Sequence, residues 1–238
     1  MATGAQERAL VTGGTRGIGA AIAAELVHAG LDVTVTGTSP LGKAPARCRL
    51  VCCDFSVPGQ LEDLLRAVVE MELSVLVNSA GITKVGPAAS CAPEDFLRIQ
   101  QVNVVAPFRL CQSVIPGMRQ HRYGRIVNIT SVFGVVSKAG RAAYSAAKFG
   151  LFGLSRALAL EVAAENVLVN CVAPGFVETD MTRGVLGEQG IAEMVKLIPM
   201  GRLARPEEIA RYVCFLVSEE NTYMTAQHLI VDGGFTAG

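Results

Sequence analysis

Net charge is the first thing this chain lacks. Its 238 residues carry 21 lysines and arginines against 21 aspartates and glutamates. A nucleic-acid-binding surface needs a basic excess, and there is none here. Charged residues are also few, 18% of the chain, while half of it is hydrophobic. That balance excludes a disordered protein. No apolar run approaches the ~18 residues of a membrane-spanning helix; each breaks at Gly, Asn or Pro, so no membrane partner is expected. Met1 to Arg8 is polar and lacks the apolar core of a secretion leader, so a cytoplasmic protein is expected. The seven cysteines include no C-x-x-C pair, and Cys171 and Cys214 sit inside apolar runs. Reduced, mostly buried thiols fit that pattern. His28, His121 and His228 are far apart, and no metal site is expected.

What is present is alternation. Short apolar runs at Ala9–Thr12, Asp32–Thr36, Arg49–Cys53, Ser74–Asn78, Arg125–Thr130, Leu168–Val172 and His228–Val231 are separated by Ala- and Leu-rich stretches of helical length. Apolar strands alternating with helices predict a parallel sheet covered on both faces. With no repeat or linker, residues 1–238 read as one α/β domain. It is a doubly wound, seven-stranded Rossmann fold. The link between the second and third strands has only about eleven residues and contains Pro40 and Pro45. Proline disfavours a helix interior by ~3 kcal/mol, so a loop is predicted there.

Small and polar residues end four of the runs: Thr12-Gly13-Gly14, Asn78-Ser79-Ala80-Gly81, Thr130-Ser131 and Ala173-Pro174-Gly175. Ligands bind at such carboxyl ends in open α/β sheets. The first is followed by Thr15-Arg16-Gly17-Ile18-Gly19, opening a helix. Glycines there permit a tight turn and close approach of a pyrophosphate to the helix N-terminus. The G-x-x-x-G-x-G spacing is neither a P-loop nor the best-known dinucleotide fingerprint. An acid ending the second strand would receive the ribose hydroxyl of NAD(H); Thr36-Gly37-Thr38-Ser39 has none. Arg16 suits a 2′-phosphate. NADP(H) is therefore the expected cofactor.

Tyr144 and Lys148 are spaced i, i+4 and share a helix face. An ammonium close to a phenol favours the phenolate and lowers its pKa. Ser131, thirteen residues earlier at a strand end, is placed to orient a substrate carbonyl. Together the three suit ketone–alcohol interconversion, with Tyr144 as proton donor.

These residues resemble the short-chain dehydrogenase/reductase family over roughly Arg8 to Gly234. The resemblance is carried by T-G-G-T-R-G-I-G (12–19), N-S-A-G (78–81), Asn103, Ser131, Y-S-A-A-K (144–148) and P-G-F-V-E-T (174–179). It implies a catalytic set of Asn103, Ser131, Tyr144 and Lys148. Lys148 would also bind the nicotinamide ribose, and Asn103 would hold a relay water behind it. Cofactor contacts are implied at Gly13, Thr15, Arg16, Gly17, Ile18, Gly19, Thr38, Asp54, Asn78, Ala80, Gly81, Tyr144, Lys148, Pro174, Gly175, Val177 and Thr179.

Residues 166–182 and P-M-G-R (199–202) are most similar to the 3-oxoacyl-acyl-carrier-protein reductases of that family. The resemblance implies NADPH-dependent reduction of a 3-oxoacyl thioester, on acyl-carrier protein or CoA, and a homotetramer. It also implies a basic docking patch, for which Arg119, Arg122 and Arg125 are the candidates. Glu165-Asn166 stands where that subgroup carries a second basic spot. Another small carbonyl, a polyketide, or a partner subunit without catalysis are the alternatives. The segment from Phe176 to Met200 is expected to be a substrate loop that closes as a lid. The helix starting near Arg141 is apolar nearly all round and is expected to meet another subunit. Pro107 should bend or break a helix running from Pro93 to about Met118.

Overall fold

The structure, a computed structural model, describes residues 7–57 and 59–238. Seven strands form one sheet in the order β3-β2-β1-β4-β5-β6-β7. They are β1 (Arg8–Thr12), β2 (Asp32–Gly37), β3 (Arg49–Cys52), β4 (Val75–Asn78), β5 (Gly124–Ile129), β6 (Val167–Pro174) and β7 (His228–Val231). Every adjacent pair is parallel. All seven predicted strands are there, with ends moved by at most two residues. The helices are α1 (Gly17–His28), α2 (Gln60–Glu70), α3 (Pro93–Gln100), α4 (Ala106–His121), α5 (Ala142–Val162), α6 (Asp180–Leu197) and α7 (Pro206–Val217). None is long and apolar enough to cross a membrane.

Because successive strand residues point to opposite faces, one set of alternate side chains builds each half of the core. Leu10, Leu76, Ile126 and Val169 pack with α2, α4 and α5. Val11, Val33, Val77, Val127 and Val172 pack with α1 and α7. The strand order turns back at β1 and β4, so a crevice opens beyond their carboxyl ends. The β2–β3 connection contains no helix, as its prolines predict.

The helix expected from Pro93 to about Met118 is divided. Between α3 and α4 lies a π-helical segment, Gln101–Val105. Pro107 has no N–H to give the Asn103 carbonyl, and its ring crowds that carbonyl. The wider turn relieves the clash. The expected substrate loop is a correction: residues 180–197 are helical, broken only at Gly187 (φ 63, ψ 178). Thr179 starts this helix by accepting the Thr182 amide proton on its hydroxyl, at 3.2 Å. Of the seven free cysteines, Cys53, Cys111 and Cys171 are buried, whereas Cys52 and Cys91 are exposed.

Candidate active site

Two turns end β1 and β4, and Thr12 ties them together: its hydroxyl accepts the amide protons of Ser79 and Ala80, each at 3.0 Å. Gly13 (φ 65) lies so close to the second turn that a Cβ on it would stand 2.8 Å from the Ala80 Cα. On Gly19 a Cβ would sit 2.3 Å from the Gly13 carbonyl oxygen. The turn can therefore exist only with glycine at these places. It delivers the chain into α1, whose N-cap, Arg16, contributes no side-chain acceptor, and whose first turn holds no acid. The leading N–H groups of α1 are thus left for an anion.

This is a fit for the pyrophosphate of a dinucleotide, and the neighbouring residues agree. A Cβ on Gly17 would lie 3.2 Å from the Thr179 methyl, so the β6–α6 turn faces the phosphate turn across the crevice. Thr15 packs on Gly37 and Gly42, bringing Thr38 and Arg16 to the same end. No acid stands between Thr36 and Ser39, which suits a 2′-phosphate. Asp54 has one carboxylate oxygen committed to the Ser56 amide and hydroxyl, at 2.8 and 2.7 Å. Asn78 corrects the expectation of a direct contact. Its side chain is buried and donates to Asn128 Oδ1 at 2.8 Å, bracing β4 against β5.

Ser131 follows β5 and caps a short turn by accepting the Phe133 amide proton at 3.2 Å. Tyr144 and Lys148 rise from α5. The Tyr144 phenol lies near enough to Ser131 for that hydroxyl to favour its ionised form. The Lys148 ammonium donates to the Ile129 carbonyl at 2.8 Å and lies 5.6 Å from the Tyr144 ring centroid. Asn103, in the π-helical segment, donates to the carbonyls of Ile82 and Ile99, each at 2.9 Å, and accepts from the Ile82 amide at 3.2 Å. Its amide side chain thus clamps the turn after β4 to the helix. Gly81 leaves room for this: a Cβ there would come within 2.8 Å of Asn103 Oδ1 and 3.6 Å of Lys148 Nζ.

The electrostatics differ from the sequence expectation. Burial holds the Tyr144 phenol above its ordinary pKa, opposed by Ser131 and by the charge of Arg141. Lys148 is not the cation that pulls the phenol down in this geometry; its own ammonium is destabilised by burial, to about 8. Arg141, absent from the predicted set, is the first residue before α5 and is buried, with Nη1 donating to Thr83 Oγ1 at 3.3 Å. The signal in the sequence is its i, i+3 spacing to Tyr144. A line of edge-to-face rings also went unforeseen: Tyr144–Phe133 at 6.4 Å, Phe133–Phe176 at 6.1 Å and Phe176–Phe235 at 5.2 Å. It supplies an apolar wall beside the phenol.

The expected docking arginines need correction too. Arg125 is the second residue of β5, a strand flanked on both sides, and is buried; it donates to the carbonyls of Gly124, Asn166 and Asn221. Arg119 pairs with Glu165 at 3.4 Å, and Arg122 donates to the Ala164 carbonyl at 3.3 Å. All three stand at the amino end of β5, whereas Ser131 follows its carboxyl end.

A family model described as enoyl-(acyl carrier protein) reductase matches residues 13–236. The 3-oxoacyl-acyl-carrier-protein reductase FabG of Vibrio cholerae is 41% identical over 234 residues, covering 95% of this chain and 96% of the relative. A solved structure described as a short-chain dehydrogenase/reductase family protein superposes with a TM-score of 0.87 at 33% identity, covering 97% of both chains. A Beutenbergia cavernae protein solved with bound NADP at low occupancy gives 0.90 at 33% identity, covering 99% of both.

Proposed function

This chain belongs to the short-chain dehydrogenase/reductase family, and from that premise we propose that it reduces the ketone of a 3-oxoacyl thioester to the 3-hydroxyacyl thioester with NADPH. The observation that carries the reading is the meeting of Ser131, Tyr144 and Lys148 beyond the carboxyl end of β5, with Ser131 close enough to the phenol to draw its pKa down.

When bound, NADPH supplies the hydride that the carbonyl carbon takes up. The glycine turn from Gly13 to Gly19, with Thr15, Gly17 and Ile18, would hold its pyrophosphate. Thr38 and Arg16 would hold the 2′-phosphate, and Asp54, Ala80 and Gly81 would flank the adenosine side. Pro174, Gly175, Val177 and Thr179 would form the opposite wall. The hydroxyl of Ser131 and the phenol of Tyr144 donate to the ketone oxygen, which develops negative charge as the carbon is reduced. Tyr144 then gives up its proton. A phenol held above its ordinary pKa keeps that proton ready at neutral pH, which suits reduction. Lys148, buried beneath the ring with an ammonium depressed to about 8, is poised to return a proton to the phenolate. The Asn103 side chain is occupied by Ile82 and Ile99, so a relay water behind Lys148 would rest on the Asn103 carbonyl, which Pro107 cannot satisfy. The aromatic wall from Phe133 to Phe235 receives the acyl chain.

The test is loss of NADPH absorbance with 3-oxoacyl groups on acyl-carrier protein, on CoA and on a short synthetic thiol. Oxidation fastest on the carrier protein supports a carrier-bound substrate. Equal rates on all three place recognition in the acyl group alone. Binding of NADPH without oxidation of any of them refutes the reading.

A further inference from the structure

Arg141 is 8% exposed, and among the described residues no carboxylate pairs with it. Its polar side-chain contact is the neutral Thr83 hydroxyl, at 3.3 Å. Its carbon lies 5.3 Å from the centroid of the Phe133 ring, which packs edge-on to Tyr144. A guanidinium withdrawn from water without a counter-charge is costly, and arginine is charged at any ordinary pH. The N-terminus of α5, whose first turn holds no acid, adds positive potential at the same point. The place is also firmly built. Gly86 N–H donates to the Gly140 carbonyl at 3.1 Å, joining the loop that bears Thr83 to the one that bears Arg141. Arg141 N–H donates to the Lys138 carbonyl at 3.2 Å, and its own carbonyl accepts from Ser145 at 2.7 Å. A pre-placed, desolvated cation one helical turn from Tyr144 has the chemistry to receive an anion.

We propose that Arg141, with Thr83, binds a carboxylate on the ketone substrate, so that free oxo acids form a second substrate class for this site. This rests on the reductase reading above. The chemistry balances as before: the ketone carbon gains a hydride, its oxygen gains the Tyr144 proton, and NADPH leaves as NADP⁺. The carboxylate is unchanged and serves as an anchor. Arg141 forms charge-assisted hydrogen bonds to it, which are stronger than those to an uncharged ester.

The experiment compares free acids with their methyl esters at three spacings: 2-oxobutanoate, acetoacetate and levulinate. Acetoacetyl thioester on a synthetic thiol serves as the reference. Rates of NADPH oxidation are measured for the native protein, Arg141→Gln and Arg141→Lys. The native protein should favour the acid over its ester by about 10- to 100-fold in kcat/KM at one spacing or more. Arg141→Gln should abolish that ratio, and Arg141→Lys should keep part of it. Acids no better than esters at every spacing, with the thioester still reduced, overturns the inference and leaves the reductase reading intact. A ratio unchanged in Arg141→Gln overturns it as well. Calorimetric binding of 3-hydroxybutyrate to the protein with NADPH gives a readout independent of turnover. Binding that depends on Arg141 where no ketone is reduced would retain the anion site and refute the reductase. Should Arg141→Gln fail to bind NADPH, the native ratio and the Arg141→Lys variant decide alone.

Discussion

Lys148 lies beneath the ring of Tyr144, with its ammonium 5.6 Å from the ring centroid and bonded to the Ile129 carbonyl rather than to the phenol oxygen. The tyrosine turns instead to Ser131 and to the field of Arg141. On the proposed reading, the two residues that share a helix face would have separate tasks, one as donor and one as a buried proton store.

Tyr144→Phe removes the donor and leaves the groove walls in place. Turnover should fall at least about 100-fold. NADPH affinity, read from cofactor fluorescence, should stay within a few-fold of the native value. Undiminished turnover would refute the donor role.

The buried Lys148 ammonium gives stability a pH signature. Its pKa is about 8 in the folded chain against an ordinary 10.5. Between those values the unfolded chain holds more protons, so stability rises with pH across that window and is flat outside it. The rise should be on the order of 3 kcal/mol in the cofactor-free protein. Urea unfolding at intervals from pH 7 to 11 should show this component in the native chain and lose it in Lys148→Met. Parallel curves for the two proteins would contradict the assignment.

At the far end of the groove, Thr38→Asp places a carboxylate where the 2′-phosphate is expected. The dissociation constant for NADPH should rise by about 10-fold or more while that for NADH falls. Equal NADPH affinity would show that the phosphate sits elsewhere.

Helix α5 leaves Leu160 76% exposed and Phe149 45% exposed in the isolated chain. We propose that the face they belong to joins subunits into a homotetramer with two-fold axes. Sedimentation equilibrium should return a multiple of the chain mass, and Leu160→Glu should lower it. A native protein that sediments only as a monomer would refute the assembly.

The strands were legible because a parallel sheet buried on both faces leaves near-continuous apolar runs, and Val75 to Asn78 is one of them. The glycine turn was legible because so few residues survive at Gly13 and Gly19. Less visible were relations set by three-dimensional packing. Arg125 looked like surface charge until its strand was seen to be flanked by β4 and β6. Residues 180–197 looked like a loop because Gly184, Gly187 and Gly190 punctuate them, yet the Thr179 cap starts a helix and only Gly187 breaks it. The influence of Arg141 on Tyr144 depends on burial, which one sequence does not display.

The helix-free strap between β2 and β3 has a consequence for the way the two ends of the groove are read. At the phosphate turn, recognition is by shape, with main-chain amides set against walls that tolerate no side chain. At the strap there is little protein to make a mould, and on the proposed reading Thr38 and the charge of Arg16, with the exposed Lys43 and Arg47 of the strap nearby in sequence, would do the sorting almost in open water. Added salt should therefore erode the preference for the phosphorylated cofactor while leaving the grip on the pyrophosphate largely intact. The chain would be selective in dilute buffer and more permissive in brine, without any residue having moved.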